Sequence, residues 1–276
     1  MDTTVGLIGA GNISNVILGF DEFRIFKNIC IYDINSDNVE KLINKFKKNY
    51  SFKVCSSLEE ILISSDIIVE VASITAVDEI FKFLKDKKFL KTKVFIILSV
   101  GGILKNFNLY KKFKSLGYRI YIPSGAIAGC DALDALRFSK IKHINLITTK
   151  PSETLINSDY VLKNQKLYKK MLRSLRCIVY KGNVYEAVKY FPQNINVAAT
   201  LAVVSEAPQK IKVVIIADKK IKRNIHEIKI VSSIGEIYIK VENIPSPYNP
   251  KTSYLAALST LSTILRVSNL FTLKSR

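Results

Sequence analysis

Gly9 and Gly11 stand between two apolar runs, Val5-Gly6-Leu7-Ile8 and Ile29-Cys30-Ile31-Tyr32, and the second run ends in Asp33. The runs read as strands and the stretch after Gly11 as a helix. Gly9 lets the chain turn tightly, and Gly11 has no side chain, so a pyrophosphate can approach the backbone. The N–H groups of Asn12 and Ile13 at the helix start then face the phosphates. Asp33 falls about 20 residues past Gly11, where a carboxylate accepts hydrogen bonds from an adenosine ribose. A glycine pair alone would be an ordinary turn between a strand and a helix. Strand, turn, helix, strand and acid in this order read as a dinucleotide site. Asp33 binds a ribose 2′-hydroxyl and repels a 2′-phosphate, so NAD is expected to work better than NADP. Ser14 occupies the third glycine position and is expected to loosen the packing of helix on sheet slightly.

A nicotinamide enzyme leaves hydride transfer to its cofactor, so the chain must orient substrate and move protons. Two histidines are available. His143 alternates with Ile144 and Leu146 and reads as exposed. His226 shares a strand face with Ile228 and Ile230, opposite Glu227 and Lys229, and reads as inward. An inward histidine is as readily a hydrogen-bonded core residue as a catalyst, but it is the best general acid or base in the chain. Asn196, in the first turn of an apolar helix, offers a donor and an acceptor suited to a carboxamide, and equally suits a helix cap. Ser99 follows the fifth strand, at the edge where ligands bind in open α/β sheets. Lys251, Thr252 and Ser253 are read as opening the last helix, where a cation and hydroxyls could hold a carboxylate or simply cap it. Arg223 lies near His226 in sequence but on the other strand face. The four scattered cysteines and two histidines argue against a Cys/His zinc site, and no metal is expected. Cys130 lies in a Gly-rich loop with no histidine nearby in sequence to activate it.

These residues need a scaffold. The chain has 276 residues and is 48% hydrophobic, enough for two domains with substantial cores. Apolar runs at 4–8, 29–32, 66–71, 94–98 and 118–122 alternate with helical stretches near 12–20, 36–48, 74–85 and 104–115. That alternation predicts a parallel sheet covered on both faces. Ser36 is the expected cap of the second helix, and Ser56 or Ser57 of a short one through Leu58–Ile63. After Tyr121 the pattern changes to strand-like runs at 142–148, 176–181, 211–217, 225–231 and 235–242. The strict alternation of Glu236 to Glu242 fits an antiparallel sheet with one wet face. A buried helix is expected from Asn194 to Val204 and a final helix from about Thr252 to Val267. No run reaches the length needed to span a bilayer, and four residues before the first strand leave no room for a signal peptide, so an intracellular, cytoplasmic protein is expected. The formal charge of +19 comes from lysines spread along the chain, not from a basic arm, and points to solvated faces rather than a nucleic-acid reader.

Longer motifs carry a family resemblance. Tyr121-Ile-Pro-Ser-Gly-Ala-Ile-Ala-Gly129, Phe191-Pro-Gln-Asn-Ile-Asn-Val-Ala-Ala199, Arg223-Asn-Ile-His-Glu227, Glu242-Asn-Ile-Pro-Ser-Pro247, Asn249-Pro-Lys-Thr-Ser253 and Ser99-Val-Gly101 stand in one order over residues 4 to 267. The sequence resembles the L-aspartate dehydrogenases of NAD biosynthesis. The resemblance implies a Rossmann domain (1–122), an α/β substrate and dimerisation domain (123–245), and a C-terminal segment (246–276) whose helix returns to the first domain. It implies NAD(P)-dependent oxidation of L-aspartate to iminoaspartate, which hydrolyses to oxaloacetate and ammonia or passes on toward quinolinate. It implies contacts from Ala126 and Asn196 to the dinucleotide, His226 as the active-site residue, a homodimer, and a hand-off to quinolinate synthase. Gly102 and Cys130 replace larger aliphatic or alanine residues usual in the family. Two other readings are a homoserine-dehydrogenase-like or dihydrodipicolinate-reductase-like enzyme, and a dinucleotide-sensing protein that binds nucleic acid through its charge.

Overall fold

The computed structural model describes residues 3–191, 196–247 and 249–272. The chain divides into two compact units, 1–125 with 256–276, and 126–255.

The first unit holds a six-stranded parallel sheet: β1 (Val5–Ile8), β2 (Asn28–Tyr32), β3 (Ser51–Val54), β4 (Ile67–Glu70), β5 (Val94–Ile97) and β6 (Arg119–Tyr121), in the order β3-β2-β1-β4-β5-β6. β1, β4 and β5 are buried along their whole length, as expected of strands covered on both faces. β3 has no counterpart among the apolar runs. Ser51, Lys53 and Val54 are exposed at the sheet edge, and the strand exists through its pairing with β2.

The helix Ser36–Phe46 is capped by Asn35, not Ser36: the Asn35 side chain accepts from the Asp37 amide at 3.0 Å, and Ser36 is already helical. Ser57 caps Leu58–Ser64 by accepting from the Glu60 amide at 3.1 Å. The expected helix at 104–115 begins earlier and is broken into Val100–Lys105 and Phe107–Ser115. At the break, the Asn106 amide group donates to the Gly102 carbonyl and to Asp78. Gly102 allows a close approach of helices, because a Cβ there would lie 2.6 Å from Cβ of Val77.

The second unit holds β7 (Ile141–Pro151), β8 (Arg176–Asn183), β9 (Ile211–Asp218), β10 (Asn224–Ser232) and β11 (Glu236–Asn243), in the order β11-β10-β7-β9-β8. β7 and β9 run parallel and the other pairs antiparallel. Ile144, Leu146, Val213, Ile215, Ile228 and Ile230 form a buried inner face. Helices Val184–Tyr190 and Asn196–Val204 pack on β9. The second is buried from Val197 through Val203, so its side chains find apolar neighbours nearly all round. The outer face carries exposed Lys212 and Lys229, and Ile178 at 51% exposure.

A short hairpin follows, β12 (Pro245–Ser246) with β13 (Asn249–Ser253), and the last helix runs Tyr254–Thr272. Lys251, Thr252 and Ser253 therefore lie on β13 and do not open the helix. Pairing of Ser253 with Pro245 holds that stretch extended.

Candidate active site

The glycine turn is assembled as the spacing predicts. Gly9 has a φ of +105°, which a side chain would strain, and its N–H donates to the Tyr32 carbonyl at 2.8 Å. The Asp33 carboxylate reaches back to the same turn. One oxygen accepts from the Ala10 amide at 2.7 Å, and the other from the Asn35 amide at 2.9 Å. Each oxygen keeps a further lone pair for a ribose hydroxyl. Gly11 and its chain neighbours aside, no described residue places a heavy atom within 4 Å of where a Cβ on Gly11 would sit, so the backbone there is open to a phosphate. Asn12 is half-buried and Ile13 buried at the start of the helix Asn12–Leu18. Ser14 ties the start of the helix to the turn. It is fully buried, and its hydroxyl donates to the Gly9 carbonyl at 2.5 Å.

Glu70, which closes the apolar run of β4, organises the neighbouring loops. It is fully buried. One oxygen accepts from the amides of Ala72 and Ser73 and from the Ser99 hydroxyl, and the other from the Ser99 amide. Burial pushes its pKa up, and these donors oppose the rise by favouring the carboxylate. Ser99 is thereby held at the carboxyl edge of the sheet. Sequence reasoning passed over Glu70; the available signal was an acid ending a strand that is otherwise wholly apolar.

A second cluster lies within the second unit. His226 is only 3% exposed and faces inward with Ile228 and Ile230, as strand parity predicts. Its Nδ1 sits 3.0 Å from the Thr148 hydroxyl, in the register position directly across from it. Two residues further along β7, on the same face, is Lys150, 6% exposed. Burial, and secondarily the Lys150 charge, lowers the His226 pKa to about 3, so the imidazole is neutral near pH 7. Burial lowers Lys150 to about 8. Asn224 and Asn243, register partners, are buried at the same end of the sheet. The Asn243 amide group donates to the Ala126 carbonyl at 2.8 Å and so ties the loop after β6 to this corner. In that loop Gly129 has a φ of +74°, and a Cβ on it would collide with the Ile239 side chain of β11.

The comparisons with known proteins agree on one family. The family model "Aspartate dehydrogenase, C-terminal" matches residues 131–267. An L-aspartate dehydrogenase of Methanocaldococcus jannaschii is 38% identical over 94% of this chain and 95% of its own. The chain belongs to the aspartate dehydrogenase family. An L-aspartate dehydrogenase of Methanococcus maripaludis is 39% identical over 96% of each chain. The crystal structure of aspartate dehydrogenase from Thermotoga maritima covers 98% of this chain and 97% of its own, with 28% identity and a TM-score of 0.69.

In this member of the aspartate dehydrogenase family the structure brings Gly9, Gly11 and Asp33 together in the first unit. It gathers His226 and Ala126 at one corner of the second. Asn196 opens its helix with a half-buried side chain; residues 192–195, part of the same motif, lie outside those described. Thr252 is half-buried on β13, and the Lys251 side chain lies outside the described residues. His143 is half-buried, not exposed as read. Cys130 is pushed up to about 11 by burial and by Asp131, which keeps it an unreactive thiol. Thr148 and Lys150 were missed. Both belong to the run 142–148 or its extension, and nothing in the sequence says that this strand lies beside His226.

Proposed function

We propose that this chain oxidises L-aspartate to iminoaspartate with NAD as hydride acceptor. The observation that carries the proposal is the buried, neutral His226 held by Thr148 in a polar corner of an otherwise apolar inner sheet face, in a chain of the aspartate dehydrogenase family. Gly11 leaves room for the pyrophosphate, and Asp33 receives the ribose hydroxyls. Bound NAD supplies a ring carbon that accepts the hydride from the substrate α-carbon.

The residues of this chain handle the proton. Oxidation of the amine to the imine releases one. In the tautomer whose Nδ1–H donates to the Thr148 hydroxyl, Nε2 of His226 carries the lone pair that takes it. Burial and Lys150 make the free imidazole a weak base. A dicarboxylate in the corner brings negative charge that opposes both effects and raises its basicity when substrate is present. Water then converts the imine to oxaloacetate and ammonia, unless a quinolinate-forming partner consumes it first, which places the enzyme at the entry to NAD biosynthesis.

The outer face of the second sheet, with exposed Ile178 and, beside Ile147 and Val214, a groove of about 740 Å³, supports a homodimer built on this unit. The free cysteines support a cytoplasmic setting, where thiols stay reduced. The test is NADH absorbance with L-aspartate, L-asparagine, L-alanine and L-homoserine. Turnover of L-aspartate at least about 10³-fold more efficient than the others is expected, because a buried polar site rejects analogues that leave it unpaired. Equal turnover of L-homoserine or L-asparagine would end the proposal.

A further inference from the structure

The parallel sheet reverses its strand order between β1 and β4: β2 and β3 lie on one side of β1, and β4, β5 and β6 on the other. A dinucleotide lies across the carboxyl ends of the strands at such a point, one nucleotide to each side. The glycine turn and Asp33 belong to the side of β1 and β2. On the other side the chain leaves β4 and β5 through two loops, and the Glu70 side chain grips both. We propose that Glu70 is a positioning residue for the nicotinamide half of the cofactor, its carboxylate fixing the backbone at Ala72, Ser73 and Ser99 against which that half lies; this rests on the dinucleotide reading of the glycine turn.

Glu70 has no exposure, whereas Ala72 and Ser73, which it holds, are exposed. The anchor is buried and the backbone it fixes faces outward. Oε1 accepts from the amides of Ala72 at 2.8 Å and Ser73 at 2.9 Å and from the Ser99 hydroxyl at 2.8 Å. Oε2 accepts from the Ser99 amide at 3.0 Å. The amide donors are main-chain groups, so the carboxylate sets the course of both loops and not only a side-chain rotamer. The first loop abuts the glycine turn, where a Cβ on Gly9 would lie 3.1 Å from backbone atoms of Val71 and Ala72. Burying a carboxylate is unfavourable, and these donors offset that cost. Ending a strand of this sheet does not require it, since β1 and β5 end in buried Ile8 and Ile97. What the acid adds is backbone ordered before the ligand arrives, which removes an ordering cost from binding.

The test compares wild type with Glu70→Gln. The variant keeps the shape but exchanges one oxygen for an NH2 group. With the amide oxygen in the place of Oε1, that group meets the Ser99 N–H, donor against donor. The loops relax, and binding has to restore them. NADH affinity, measured by calorimetry, should fall about tenfold, as for one buried donor left without an acceptor. ADP carries only the adenosine and diphosphate and should bind within about twofold of wild type, well short of that loss. Binding of ADP and NADH to wild type checks the dinucleotide reading on its own. In ligand-free wild type the amides of Ala72, Ser73 and Ser99 should exchange hydrogen slowly although Ala72 and Ser73 are exposed, a measurement that needs no variant. A folded Glu70→Gln protein that keeps wild-type NADH affinity would overturn the proposal. Equal weakening of ADP and NADH would do so too, because it marks a general loosening of the unit. Fast exchange of the Ala72 and Ser73 amides in wild type would show that Glu70 does not hold the loop, and would end the proposal even if the variant failed to fold.

Discussion

Acid should destabilise this protein through His226, and the size of the effect follows from its burial. In the unfolded chain the imidazole takes up a proton near pH 6.5; in the folded chain burial and Lys150 delay uptake to about pH 3. Between those values the unfolded state binds more protons, so stability is intact above pH 6.5 and falls as the pH drops, by about 1.4 kcal/mol per pH unit. By pH 5 the loss from this one group is about 2 kcal/mol. Near-complete burial leaves little solvent screening to reduce it. Urea unfolding of wild type and His226→Asn at pH 7, 6 and 5 measures the effect. The variant starts from a different stability because it repacks the corner, so the readout is the slope with pH. The wild-type slope should be steeper by about 2 kcal/mol across that range. For a domain of this size it corresponds to roughly 4–8 °C in melting temperature. Parallel slopes would show that the folded protein binds the proton as readily as the unfolded chain. The neutral imidazole on which the mechanism depends would then be wrong.

His226→Ala should lower kcat by about 10²–10⁴-fold with NADH affinity unchanged, since Asp33 and the glycine turn belong to the first unit; steady-state kinetics and fluorescence titration check this, and near-normal kcat in a folded variant would remove His226 from the chemistry. Asp33→Ser should relieve repulsion of a 2′-phosphate and move kcat/KM toward NADP, whereas wild type should favour NAD; a wild-type preference for NADP would contradict the role of Asp33. Gly102→Ala should cost about 1–3 kcal/mol, read from the melting curve, because the new methyl group would overlap Val77.

What the sequence settled is what local chemistry settles. Strands β1, β4 and β5 are apolar runs because both faces of a parallel strand are buried, so their place in the chain is visible in composition alone. The turn at Gly9 and the acid at Asp33 are fixed by spacing along a βαβ unit, and strand parity alone turned His226 inward. Where local signals were ambiguous, tertiary structure decided. β3 is a strand because β2 lies beside it, and Lys251 and Thr252 are extended because β12 pairs with β13. Asn35 outcompeted Ser36 as a cap through the placement of a single amide. The partners of His226 were beyond the sequence: Thr148 is 78 residues away along the chain and meets it only across the β7–β10 pair. A lysine in a run of strand residues looks the same whether it faces water or the core. Only the register of five strands put Lys150 in the buried row, and burial is what gives its charge a consequence.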